Sequence, residues 1–163
     1  MNDKEINLAY IAEFFDGEEN ITIDEFKPRK FGWNKTYLLR IRLVNTNEEV
    51  IKYCKNYFKV ERICFEKRNK KRKGIWRWIV CTRQVEEVLK KLLPYLKVKK
   101  RQAELAIRFQ EMQRIMNKNR KMKKGRINNK IFSYSKEEIE EKEKLKNEVL
   151  QFNKRGQGEP SKC

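Results

Sequence analysis

The sequence predicts an α+β domain with the order α-β-β-α-β-β-α, an antiparallel sheet covered by helices on one face, followed by extra C-terminal helices. Three observations carry this. Residues 20–26 with 36–44, and 62–68 with 75–82, are two pairs of alternating segments, each joined by a basic polar stretch, and so read as hairpins. Segments with apolar residues at helical spacing precede, separate and follow them. The 163 residues, 39% hydrophobic, suffice for one domain with an ordinary core and a tail.

The first helix is expected to start after Asn7 as its cap. Residues 8–15 are apolar almost all round, and a helix of that kind must be covered on every side, by its own domain and by something else. Asp16-Gly17-Glu18-Glu19 ends it, with Gly17 a left-handed stop, and Ile21 and Ile23 open the first strand at once. Residues 27–35 form a long basic loop. The return strand, 36–44, sets Leu39, Ile41 and Leu43 on a core face and Leu38, Arg40 and Arg42 on an open, mostly cationic one.

Thr46 or Asn47 caps a second helix with Val50, Ile51, Cys54, Tyr57 and Phe58 as its apolar stripe. In the second hairpin, Trp76, Trp78 and Val80 alternate with Ile75, Arg77 and Ile79; the tryptophans pack on helices, or stack on nucleobases. A third helix, 84–93, stops at Pro94, and a fourth runs to about Met116. Beyond the basic run 118–124, Ser135 to Glu138 is a capping box that starts a charged helix to about Phe152. Residues 1–116 are thus the expected core domain, 117–155 a basic segment with a charged helix, and 156–163 a disordered tail.

The 41 Lys and Arg outnumber the 23 Asp and Glu to give a formal charge of +18, which calls for a polyanionic partner. Nucleic acid leads. A membrane surface is disfavoured, since no long apolar run or basic amphipathic anchor stands out. Four cysteines without a CxxC pair, and no histidine, argue against structural zinc and against catalysis by a histidine base or a serine or cysteine triad. Hydrolysis here would have to run on carboxylates, lysine and metal. No signal peptide is apparent, so a reduced cytoplasm is expected, or an organelle matrix if the gene is organellar.

The acidic cluster has two readings. It is a polar end to a core helix, or it is a cation site. Carboxylates at a helix C-terminus face the negative pole of the macrodipole, unfavourable by ~0.3 to 1 kcal/mol each, and a divalent cation would offset that.

Ile11-Ala12-Glu13-Phe14-Phe15-Asp16-Gly17-Glu18-Glu19 resembles the LAGLIDADG motif of homing endonucleases, with Glu18 at the position of the metal-binding acid. It departs from the pattern at Glu13 and Glu19, where the family usually has glycine. A second run, Pro94-Tyr95-Leu96-Lys97-Val98-Lys99 leading to Gln102-Ala103, is similar to one in the homodimeric members, whose second lysine reaches the active site; here that is Lys99. The resemblance spans residues 7 to about 116, and no second stretch resembles 8–23.

The resemblance implies the homing-endonuclease fold, its sheet a DNA-binding saddle, and an intron-encoded homodimer cutting both strands of a long pseudo-palindrome with Mg²⁺. By it, Glu18 is catalytic and, with Gly17, holds metal. Lys99 stabilises developing charge, and Asn45, or Thr46, orders water. Ile11, Glu13, Phe14 and Gly17 would line the dimer seam. Arg40, Arg42 and Arg77 are expected on bases, most naturally guanine O6 and N7, and Lys70, Lys71, Arg72 and Lys73 on phosphates. Thr22, Asp24, Lys27, Arg29, Arg62 and Arg68 complete the expected DNA-contacting set. Glu13 would be paired with a cation, turned toward DNA, or part of a looser seam. The alternatives are a non-cleaving DNA- or RNA-binding protein of the same fold, an intron maturase or decayed endonuclease, and a basic binder outside the family.

Overall fold

The computed structural model describes residues 2–27, 35–60, 62–68, 73–123 and 135–153. The chain runs α1 (Asp3–Glu18), β1 (Glu19–Phe26), β2 (Thr36–Asn45), α2 (Glu48–Phe58), β3 (Ile63–Glu66), β4 (Ile75–Cys81), α3 (Arg83–Leu92), α4 (Lys100–Lys123) and α5 (Lys136–Asn153). The four strands form one antiparallel sheet in the order β1-β2-β4-β3. Alternation in β2 decides its faces. Leu39, Ile41 and Leu43 are fully buried beneath the helices, and Leu38, Arg40, Arg42 and Val44 lie on the open side.

The core forms where α1, α3 and α4 cover the sheet. Ile11, Phe15, Ile21, Ile41, Trp78, Val80, Leu89, Leu92 and Phe109 lie within it. Trp78 is fully buried, stacked on Phe58 of α2 with centroids 5.6 Å apart and edge-on to Phe15 at 6.2 Å. Its indole Nε1 donates to the Val60 carbonyl at 2.9 Å. That burial settles Trp78 as a packing residue and removes it as a base-stacking platform. Trp76 is half-buried beside Phe65.

Three expected boundaries are corrected. α1 starts at Asp3 rather than after Asn7, because Asn2 and Glu5 make a capping box: Asn2 Oδ1 accepts from Glu5 N, and Glu5 Oε2 accepts from Asn2 N, both at 2.9 Å. Gly17 is not a left-handed stop; it lies inside the helix, which persists through Glu18. α4 runs on to Lys123, beyond Met116, so the basic run begins as part of this helix.

Two helix starts match expectation. Asn47 Oδ1 caps α2 at Glu49 N, and Ser135 with Glu138 forms the box that opens α5. The Lys59 C-cap adopts a left-handed conformation, φ 56° and ψ 40°, where a Cβ is disfavoured by about 1 kcal/mol or more. Lys59→Gly is therefore expected to raise stability by about 1 kcal/mol in urea unfolding, and an unchanged midpoint would contradict this.

α5 closes the β1 edge. Leu145 and Val149 enter the core, and Lys142 is buried with its ammonium 5.8 Å from the Tyr37 ring centroid. Gln102 Nε2 and Asn153 Nδ2 both donate to the Ile21 carbonyl, at 3.2 and 3.1 Å. Glu25 on β1 pairs with Lys146 of α5 and with Lys35, which also reaches Glu143 at 3.1 Å.

The hydrogen bonds from Lys146 and then Lys35 hold the Glu25 carboxyl below its ordinary 4.5. A depressed folded-state value adds stability that is present above the ordinary carboxylate range and is lost as pH falls through the folded value. Thermal melting is thus expected to show destabilisation developing as pH drops below about 4.5. Lys146→Met should reduce that dependence; an identical pH profile in the variant would remove this pair as its source.

Candidate functional site

Glu18 is the last residue of α1, exposed, at the point where the helix turns directly into β1. Asp16, two residues earlier, is half-buried and has a different task. Its Oδ2 accepts from Lys97 N at 2.8 Å and its Oδ1 from Lys99 N at 2.9 Å. Both oxygens are used by the segment between α3 and α4, so the backbone of 97–99 is held against the last turn of α1. Lys99 is brought to the Glu18 end of the molecule by this clamp, across more than eighty residues of sequence.

Asn45 arrives there by strand register. Glu19 pairs with Leu43, so Asn45, the last residue of β2, ends the strand at the same end of the sheet. Its Oδ1 accepts from Asn47 N at 2.8 Å and shapes the turn into α2, leaving the amide NH₂ for other partners. Glu18, Lys99 and Asn45 are therefore gathered at one end of β1 and β2.

The open face carries its charges in pairs. Arg40 Nη1 and Arg42 Nη2 both bind Asp24 Oδ2 at 2.8 Å, and Arg77 is paired with Glu66. Asp24 thus acts as a fixed clamp on two guanidiniums that would otherwise be free to swing. Thr22, directly opposite Arg40, is buried, and its Oγ1 has no partner among the described residues, so it offers little contact surface, contrary to expectation. Lys27, Arg62, Arg68 and Lys73 are exposed around this face. Arg29, Lys70, Lys71 and Arg72 lie outside the described residues.

Of the four residues expected at a dimer seam, Ile11 is corrected. It is fully buried in its own core and has no surface to offer a second copy. Phe14 is half-buried, edge-on to Tyr10 at 4.9 Å, and Glu13 and Gly17 are exposed. The outward stripe of α1 is Ile6, Tyr10, Glu13 and Gly17, at helical spacing, and Tyr53 of α2 extends it beside Tyr10 at 5.9 Å. Ile6 and Tyr10 are about half exposed, at 52% and 48%. Ile6 and Tyr10 precede the motif, so motif matching alone could not point to them; the 3-4 spacing counted back from Gly17 does. Glu13 has no ion-pair partner among the described residues, which removes the first of its three expected roles within one chain.

An antiparallel four-stranded sheet backed by helices, with an acid at the α1–β1 junction and a lysine clamped beside it, defines a homing-endonuclease type of fold. Solved structures share it. I-CvuI in complex with the I-CreI target in 2 mM Mg, its DNA not cleaved, superposes with a TM-score of 0.69 at 16% identity, over 98% of this chain and 87% of that one. The archaeal intron-encoded I-Vdi141I complexed with DNA gives 0.68 at 16%, over 99% and 91%. I-SmaMI bound to cleaved DNA gives 0.62 at 13%, over 86% of this chain but 42% of that one. No curated protein sequence matches the chain. The profile of the LAGLIDADG endonuclease family matches residues 11–116. The chain belongs to the LAGLIDADG endonuclease family.

Proposed function

We propose that two copies of this chain form a homodimer that cuts both strands of a long pseudo-palindromic DNA site, one Glu18 serving each strand. The observation that carries this reading is the exposed carboxylate of Glu18 at the turn to which Asp16 ties the Lys99 segment. The DNA in the I-CvuI and I-Vdi141I complexes supports a duplex as ligand. The open sheet face, with Arg40, Arg42 and Arg77 prepositioned by carboxylates, suits the major groove, and the exposed Lys27, Arg62, Arg68 and Lys73 suit phosphates.

Among the described residues no three acidic or thiol side chains cluster. With Asp16 committed to two backbone N–H groups, one chain offers a cation Glu18 and the carbonyl oxygen of Gly17. That sparse oxygen set fits Mg²⁺, which binds through one or two carboxylates with phosphate oxygens and water. When bound, the cation supplies a Lewis acid to the scissile phosphate and acidifies a coordinated water. Lys99 contributes positive charge where negative charge develops, and the Asn45 amide orients water.

Length supports two copies: this chain corresponds to 87% of I-CvuI but to 42% of I-SmaMI, so two would be needed to make up the latter. The stripe Ile6, Tyr10, Glu13 and Gly17 is the surface proposed to pair. A Cβ built on Gly17 meets nothing within 4 Å in its own chain, so a larger residue there tests the partner alone. Gly17→Leu is expected to leave the melting point of the single chain within a degree or two and to weaken dimerisation by about tenfold or more in sedimentation. Unaltered dimerisation would place the seam elsewhere.

The function is tested with a plasmid carrying the near-palindrome formed by the exons that flank the gene. Double-strand cleavage in Mg²⁺ but not in Ca²⁺ is the expected result. Tight binding without cutting in any divalent metal would favour a non-cleaving binder.

A further inference from the structure

The arginines of the sheet face differ from the cations around it in one respect. Arg40 and Arg42 share Oδ2 of Asp24 at 2.8 Å each, and Arg77 is paired with Glu66. Lys27, Arg62, Arg68 and Lys73, exposed at the rim, have no ion-pair partner among the described residues. On a chain with 41 Lys and Arg against 23 Asp and Glu, carboxylates are the scarce charge, yet two of them stand on the face where a duplex would lie. For binding strength alone both work against the protein, since each cancels a cation that could displace a counterion from a phosphate.

The Asp24 group is seated rather than loose. The side chains of Arg40, Asp24 and Arg42 are 21, 22 and 30% exposed, so solvent and salt screen their pairing less than that of a fully exposed pair. Leu38 lies opposite Asp24 across β1 and β2, and Ile79 opposite Arg42 across β2 and β4, apolar neighbours that offer the charges no other partner. Arg40 Nε is buried with no hydrogen-bond partner among the described residues. Its guanidinium is held where Asp24 is, at the expense of one unmade bond.

We propose that Asp24, and to a lesser degree Glu66, is a specificity-determining residue that keeps the face arginines off phosphate. The inference rests on a duplex as ligand and not on cleavage. A phosphate drawn to Arg40 or Arg42 also meets the negative charge of Asp24 a few ångströms away. A base edge is neutral, and meets only the N–H groups that Asp24 leaves unused. The unpaired rim cations then supply a grip that any sequence satisfies, while the held arginines contribute only where guanine acceptors face them. Asp24 lowers affinity for every duplex, and lowers it most for the wrong one.

Fluorescence anisotropy with the full chain over a series of salt concentrations tests this, using a random-sequence duplex and the near-palindrome of the flanking exons. Asp24→Asn is expected to bind the random duplex about tenfold or more tightly than the unmodified protein. Two arginines are released, so the slope of log K against log salt should steepen by up to about 2; Glu66→Gln releases one, and should steepen it by up to about 1. Affinity for the near-palindrome should change by less than about threefold, so that the preference for it falls. Glu111→Gln removes the same charge from the Lys90 pair on the helix side, and should leave the slope within about 0.3. A lost fold would weaken binding of both duplexes, so tighter binding of the random one separates this role from a structural one. Unchanged or weaker binding of the random duplex by Asp24→Asn, an equal steepening in Glu111→Gln, or a preference for the near-palindrome that is the same with and without Asp24 would each overturn the assignment and leave the duplex reading standing. No binding of either duplex by the unmodified protein would overturn both.

Discussion

Replacing Glu18 by glutamine is expected to abolish double-strand cleavage, lowering the single-turnover rate by about a thousandfold or more, while the duplex still binds. Glutamine keeps the shape and removes the charge. Because Glu18 is exposed and sits at the C-terminal end of α1, its carboxylate is not needed for packing. Its removal relieves an unfavourable contact with the negative helix pole, worth ~0.3 to 1 kcal/mol. The melting point should therefore hold or rise slightly as activity disappears. On a chain of net charge +18, one fewer negative charge beside DNA should also hold or strengthen binding. Rate and stability moving in opposite directions is the signature of a group retained for chemistry. Cleavage within tenfold of the unmodified protein would move the reaction to another residue.

The order of elements was legible because each rests on a local signal. Period-2 alternation in β2 determined which side chains enter the core, and Asn47 and the Ser135–Glu138 box marked two helix starts. The acidic cluster at residues 16–19 stands out by its place after a buried helix, and within it Glu18 is singled out by the resemblance to the LAGLIDADG motif. What could not be read are pairings between distant residues. The bond between Asp16 and Lys99 spans 83 positions and that between Glu25 and Lys146 spans 121, and neither leaves a pattern in a short window. The start of α1 was misplaced because the apolar run begins at Leu8, whereas the capping box that opens the helix begins at Asn2, in a polar segment before that run. Ile11 illustrates a further limit. A helix apolar all round declares that it is covered on every side without saying which side chains face its own core, and the 3.6-residue period then gives Ile11 to the core and Tyr10 to the surface. The open face reads from the sequence as mostly cationic, yet Asp24 and Glu66, on the strands adjacent to those of the arginines, already hold them.

Asp16 offers the sharper separation of positioning from chemistry. Each of its oxygens accepts one backbone N–H, from Lys97 and Lys99. Hydrogen bonds to a charged acceptor contribute about 1.5 to 3 kcal/mol each where solvent is excluded; here the Lys97 end is exposed, so Asp16→Ala is expected to cost about 2 kcal/mol in total. The larger effect falls on activity. Without the clamp the 97–99 segment is no longer fixed to α1, and a displacement of about 1 Å in a positioned group can lower a rate about a hundredfold. Cleavage should fall by that order while duplex affinity, set by the sheet face, stays within about threefold. Asp16→Asn should behave nearly as badly as alanine. Its amide presents an NH₂ where one of the two backbone donors needs an acceptor, so one bond is lost and two donors face each other. Asp16→Glu keeps both acceptors but overshoots by a methylene, and partial activity is expected. If Asp16→Asn cut as well as the unmodified protein, then Lys99 would not owe its position to this carboxylate, and the link from the first helix to the lysine would have to run through another contact.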